Sequence, residues 1–113
     1  MTSTEKAEAI VRVAEDAKAE RIETLDVREK TSIADFFVVC SANNDRHVSA
    51  IAERVEEKLR QLAARPLRTE GEGSGWVLMD FGDVVFHIMR EEQRQFYDLE
   101  TLWKTLQRDP NLI

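Results

Sequence analysis

At 113 residues the chain has the length of one domain and can bury roughly two-thirds of its unfolded surface, so a core needs no metal or disulfide staple. Its 16 basic and 22 acidic residues leave a formal charge of −6, which argues against tracking a phosphate backbone by counterion release and favours a basic protein surface as partner. The lone cysteine, Cys40, excludes an intrachain disulfide framework and a cysteine-rich zinc site, and a reducing cytoplasm is the expected compartment.

Thr2-Ser3-Thr4-Glu5 is a capping-box start, and Ala7, Ile10, Val11, Ala14 and Ala17 recur at helical spacing behind it, predicting a first helix that ends near Glu20. The N-terminus has no basic segment followed by an apolar core, and the longest apolar run, Phe36 to Cys40, is far below the ~20 residues of a membrane span, so a soluble chain is expected. Ile22 to Val27 alternates loosely and carries β-branched residues, predicting a short strand. Phe36 to Ser41 is continuously apolar, the pattern of an interior strand covered on both faces. Ser41 to Asp45 combines turn formers with capping residues, and Val48, Ile51, Val55, Leu59 and Leu62 then mark a helix running to Ala64 and stopped by Pro66. Glu56, Glu57, Lys58 and Arg60 read as its solvated face.

Leu67 to Thr69 predicts a short edge strand, followed by a Gly-rich connector, Glu70 to Gly75. The next stretch reads as a hairpin. With Phe81-Gly82 as a two-residue turn, Asp80 pairs with Asp83, Leu78 with Val85 and Trp76 with His87, and all six side chains share one face. Two aspartates placed opposite each other repel by roughly 0.2–1 kcal/mol, so such a face gains when a cationic partner covers it. Phe96, Leu99, Leu102, Trp103 and Leu106 then share one face of a final helical region, with Asp98 as a second N-cap within it and Pro110 at its end. The order implies a single α/β domain over residues 1–113: a sandwich of a mixed sheet of about five strands with flanking helices.

From Glu70-Gly71, through Trp76-Val77-Leu78-Met79-Asp80-Phe81-Gly82-Asp83-Val84-Val85-Phe86-His87, to Arg94, Phe96-Tyr97, Leu99-Glu100 and Leu102-Trp103, the chain resembles the ribosomal silencing factor, or Iojap-like, family. Asp26, Asp35 to Val39, Arg46-His47-Val48, Ile51-Ala52 and Pro66 fit its pattern upstream. Phe36 and Phe81 stand where Tyr is common, Met89 where Phe is common, and Asp45 where a small polar residue is usual.

The resemblance implies a nucleotidyltransferase-like topology in a protein that acts by occupancy. It would bind the large ribosomal subunit through the basic ribosomal protein L-fourteen and block joining of the small subunit. Translation would thereby fall under nutrient limitation, without cofactor, metal or catalytic residue, with little direct nucleic-acid contact, and with a homodimer as the free form. The partner-binding residues it implies are Glu70, Trp76, Leu78, Asp80, Phe81, Asp83, His87 and Glu100. Trp76, Leu78 and Phe81 would bury apolar area, and Glu70, Asp80 and Asp83 would pair with basic side chains. His87 also fits a plain packing role against Trp76.

The alternative is a metal-dependent nucleotidyltransferase-like enzyme. Asp80 and Asp83 supply one carboxylate pair for magnesium, but the Gly-Ser turn and the Asp-x-Asp strand of that chemistry are missing. Asp80-Phe81-Gly82 matches the kinase magnesium triplet by letters alone, and Gly71 to Gly75 lacks a phosphate-loop lysine and a following helix. A Cys40–His47 nucleophile–base pair would need a reactive thiol in the most apolar segment of the chain.

Overall fold

The computed structural model describes residues 1–105, so Leu106 and Pro110 lie outside the described residues. The element order is α1 (Ser3–Asp16), β1 (Glu20–Asp26), β2 (Phe36–Ala42), α2 (Asp45–Gln61), β3 (Arg68–Glu70), β4 (Trp76–Asp80), β5 (Val84–Arg90), α3 (Glu91–Tyr97) and α4 (Leu99–Thr105). One five-stranded sheet has the order β1-β2-β5-β4-β3. Only β2 and β5 run parallel; the other neighbours are antiparallel, which makes the sheet mixed as expected.

The capping box closes α1 in both directions. Thr2 Oγ1 accepts from the Glu5 N–H at 3.1 Å, and Glu5 Oε1 accepts from the Thr2 N–H at 2.8 Å. The helix stops at Asp16 rather than near Glu20, because Lys18 takes a left-handed φ of 67°. The Lys18 and Ala19 N–H groups then donate back to the Glu15 and Ala14 carbonyls, a Schellman end built without glycine. α2 ends in the same way. Ala63 is left-handed at φ 59°, and Ala63 and Ala64 donate to Arg60 and Leu59, so the helix stops at Gln61 and not at Ala64.

Period-2 alternation divides the core between the two faces of the sheet. On one face Ile10 and Ala14 of α1 and Ile51, Val55 and Leu59 of α2 pack over Val38, Cys40, Val77, Met79, Phe86 and Ile88. Each large aliphatic side chain sealed there contributes about 1.5–3 kcal/mol relative to exposure. On the other face Leu25, Val27, Phe37, Val39 and Met89 are joined by Leu99 and Trp103 of α4, with Trp103 edge-on to Phe37 at 4.7 Å.

The hairpin register departs from the sequence reading. Asp80 pairs with Val85, Leu78 with His87 and Trp76 with Met89, a slide of two residues. The two-residue turn is Gly82-Asp83, closed by the Phe81 N–H donating to the Val84 carbonyl at 2.9 Å. Gly82 carries the positive φ of 91° at the first central position, where a type II′ turn needs glycine, and its N–H is held by Asp80 Oδ1 at 2.8 Å. A slide of two preserves which face each strand residue occupies, so Trp76, Leu78, Asp80, Val85 and His87 still share a face. Asp83 leaves it.

Candidate functional site

The two sides of the sheet are unequally covered. Helices α1 and α2 close one face, whereas on the other α4 lies over β1 and β2, and α3 runs past the end of β5. The β5–β4–β3 half of that second face has no helix over it among the described residues. Its surface comes from Trp76, Leu78 and Asp80 of β4, all partly exposed, with Val85 of β5 and the exposed Arg68 and Glu70 of β3. Arg68 stands opposite Asp80, and Glu70 opposite Leu78.

Charge on this face is arranged around one guanidinium. Arg68 Nε lies 3.5 Å from Asp80 Oδ2, and its NH1 lies 3.8 Å from Glu70 Oε1. Two carboxylates therefore share a single exposed cation, leaving the patch net negative beside half-buried Trp76 and Leu78. The Asp80–Asp83 pairing expected from the sequence is absent. Asp83 turns toward α1, where its Oδ1 accepts from Lys6 Nζ at 2.7 Å, and the same ammonium donates to the Phe81 carbonyl at 3.2 Å. The two aspartates are thus neutralised by different cations, so they do not form a joint site for magnesium. Among the described residues no three His, Cys, Asp or Glu side chains stand together as a metal cage.

Three other sequence-derived site residues are buried and hold the face in place. Phe81 is 5% exposed and belongs to the core under α1 and α2, so it has no apolar area left for a partner. It falls there because the turn begins one residue later than expected. His87 is also 5% exposed, wedged edge-on against Phe37 at 5.3 Å. Its Nδ1 accepts from the Trp76 indole N–H at 3.1 Å, which fixes the proton of the neutral ring on Nε2 because an indole nitrogen only donates. Burial pulls its pKa down to about 4, so the ring is neutral near pH 7; its Nε2–H is buried without a partner among the described residues.

Glu100 is the third, 8% exposed and enclosed. Its Oε1 accepts from Arg94 Nε at 2.6 Å, and Arg94 NH1 donates to Ser41 Oγ at 2.9 Å. Ser41 Oγ in turn donates to Glu91 Oε1 at 2.7 Å, and this bond, with further help from Gln95 and Arg21, holds the Glu91 carboxyl below the usual carboxylate range. Arg94, only 2% exposed, thus ties α3 and α4 to the end of β2. Between those helices Asp98 is left-handed at φ 47° and its carboxylate accepts from the Thr101 N–H at 3.4 Å, which bears out a break there.

That break changes which aromatics are exposed. Phe96 is 81% and Leu102 49% exposed, so they do not share the buried face of Leu99 and Trp103 expected from helical spacing. Tyr97, half exposed, leans on Trp76 with the rings tilted by 49° and their centres 4.9 Å apart, and Phe96 meets Tyr97 at 5.0 Å, extending the aromatic surface from the open half-sheet outward. Sequence reasoning missed Tyr97 and Arg68 as members of this face, and it placed Val85 on the face without naming it among the partner-binding residues. Tyr97 lies inside the family-like segment, and Val85 follows from alternation alone.

Cys40 and His47 do not act as a nucleophile–base pair. Burial pushes the Cys40 thiol up to about 12, so it stays protonated. His47 is committed to the backbone: Nδ1 accepts from the Asn43 N–H at 3.1 Å, and Nε2 lies 2.9 Å from the Ala17 carbonyl. Gly71 has a structural role, since its φ is +85° and a Cβ there would sit 2.1 Å from the Trp76 carbonyl oxygen.

A family profile described as "Ribosomal silencing factor during starvation" matches residues 1–112. A ribosomal silencing factor of Halalkalibacterium halodurans is 36% identical over 104 residues, which span 91% of this chain and 89% of that protein. One from Chromobacterium violaceum is 40% identical over 90 residues, 79% of this chain and 74% of the relative. The chloroplastic protein Iojap of Arabidopsis thaliana is 31% identical over 94 residues, covering 83% of this chain and 40% of that longer protein. The fold also matches a solved structure from Chromobacterium violaceum with a TM-score of 0.90 and 34% identity, over 96% of this chain and 92% of the other. The chain therefore belongs to the ribosomal silencing factor family.

Proposed function

We propose that this chain silences ribosomes by occupancy, docking the open β5–β4–β3 half of its sheet on the large subunit, against the basic ribosomal protein L-fourteen, where the small subunit would join. The observation that carries this reading is the composition of that half-sheet: an apolar centre of Trp76, Leu78 and Val85, flanked by Asp80 and Glu70 with, among the described residues, only Arg68 to balance them. Apolar anchors ringed by polar groups are the usual energetic centre of an interface, and net negative charge speeds encounter with a cationic surface. The names of the relatives, ribosomal silencing factors, support the ribosome as the target.

Direct contacts are assigned to Glu70, Trp76, Leu78 and Asp80, with Val85, Tyr97 and Arg68 added. His87 and Glu100 act through the residues they hold in place, Phe81 seals the core beneath, and Asp83 anchors α1. No covalent step or cofactor enters the account. The protein works in the compartment where ribosomes assemble, the cytoplasm, and when free it pairs with a second copy through the same face. Co-sedimentation tests this reading: the protein should travel with large subunits in a sucrose gradient, and Trp76→Ala with Leu78→Ala should stay at the top. Equal recovery of both in the large-subunit fraction would overturn it.

A further inference from the structure

The open half-sheet carries one charge of the wrong sign for a cationic partner, that of Arg68. Strand pairing sets it there: Arg68 and Glu70 alternate onto one face of β3, opposite Asp80 and Leu78 of β4. Among the described residues Arg68 is the one cation within 4 Å of either carboxylate, with Nε 3.5 Å from Asp80 Oδ2 and NH1 3.8 Å from Glu70 Oε1. Both separations exceed the roughly 2.7–2.9 Å of a charge-assisted hydrogen bond. Elsewhere in the chain such pairs close: Lys6 lies 2.7 Å from Asp83, Arg28 2.6 Å from Asp26 and Arg94 2.6 Å from Glu100.

The cation is loosely placed, whereas Asp80 is fixed. Asp80 Oδ1 is tied to the Gly82 N–H at 2.8 Å and its side chain is 24% exposed, while that of Arg68 is 63% exposed. The Gly82 bond is the one hydrogen bond that either carboxylate accepts among the described residues, so most of their acceptor capacity is open. A long, solvent-facing ion pair of this kind holds little free energy and is readily exchanged.

Resting on the docking reading above, we infer that Arg68 is a stand-in counter-ion, holding the place of a cationic side chain of the partner and displaced by it on docking. A guanidinium or ammonium that reaches Asp80 Oδ2 comes close to the Arg68 head, and two cations there repel. The flexible Arg68 stem lets its head swing into solvent while the tethered Asp80 stays. Docking then replaces a loose internal pair by pairs across the interface, beside Trp76 and Leu78, where exclusion of water strengthens the attraction. Arg68 thereby acts on selectivity. It lowers the pull of the bare face on stray cations, and a surface displaces it only by bringing a cation to Asp80 while also covering the apolar centre. Removing Arg68 should strengthen binding, the opposite of what a favourable contact predicts.

The test measures binding to purified large subunits at about 50 and about 200 mM KCl, with labelled protein dilute enough to be monomeric by sedimentation velocity. Arg68→Gln is compared with wild type, and the same substitution is made in a Glu70→Gln/Asp80→Asn background. Lys58→Gln, on α2 over the opposite face of the sheet, controls for net charge. Arg68→Gln should bind about 2- to 5-fold tighter than wild type at the lower salt, mostly through faster association, and the gain should shrink at the higher salt. In the background without the two acids the gain should be smaller, because no internal pair remains to be broken. Unchanged or weaker binding by Arg68→Gln overturns the inference alone, as does an equal gain in Lys58→Gln or in the acid-free background. If wild type fails to bind subunits at all, the docking reading falls and this inference with it.

Discussion

Because the hairpin turns at Gly82-Asp83, the two aspartates on either side of Phe81-Gly82 have separate roles, and asparagine substitutions should separate them. In Asp80→Asn the amide oxygen still accepts from the Gly82 N–H, held at 2.8 Å, so the turn survives while one negative charge leaves the docking face. A carboxylate 4 Å from a cation at an effective dielectric of 20 interacts by about 4 kcal/mol, an upper figure. Arg68, 3.5 Å away, already offsets part of that charge. A loss of roughly 1.4–2.7 kcal/mol, or about 10- to 100-fold in affinity for large subunits, is therefore expected, with little change in the urea midpoint. Asp83→Asn instead removes the Lys6 ion pair at 2.7 Å, whose partners are 14% and 37% exposed. A part-exposed pair is worth about 1 kcal/mol or less, so a small drop in stability is expected with near-normal binding. Fluorescence-anisotropy titration against large subunits and urea unfolding together read both outcomes. Equal weakening of binding by the two substitutions would refute the division, and with it the placement of Asp83 off the docking face.

Arg94→Met should cost about 3–5 kcal/mol in urea unfolding, because it leaves Glu100 buried without its partner 2.6 Å away; adding Glu100→Met should recover most of that loss. If the double variant is as unstable as the single, Arg94 is holding α3 and α4 by contacts other than the carboxylate. His87 makes stability fall with acidity: its folded pKa of about 4 lies below the ordinary 6.5, so the unfolded chain takes up the proton first. Its contribution is complete above pH 6.5 and is lost as pH falls toward 4, by roughly 3 kcal/mol over that window. The difference in unfolding free energy between wild type and His87→Gln should shrink over that range; a constant difference would contradict the buried neutral ring.

The fold was legible because its signals are local. The Thr2 capping box, the Ile51-Val55-Leu59 stripe, the apolar run at Phe36 to Cys40 and Pro66 each identify an element through its own residues. Helix ends were misplaced where the chain adopts left-handed turns at Lys18 and Ala63, because neither residue is the glycine that would announce them. The site was half legible. Alternation put Trp76, Leu78 and Asp80 on one face, but the register depended on which pair formed the turn, and either choice spans two residues with Gly82 in it. The burial of Phe81 and His87 depends on packing from α1 and Phe37, which are distant in sequence, and that of Glu100 on the left-handed break at Asp98 that no glycine announces, so residues that look like contacts within a motif became supports in three dimensions.

Occupancy is tested most directly by the joining reaction itself. Light scattering is followed as small subunits are mixed with large subunits preincubated with excess protein, with Trp76→Ala/Leu78→Ala as the comparison. The account predicts that wild type suppresses the rise in scattering and that the variant leaves it intact. An undiminished rise with wild type bound to the large subunit would contradict it.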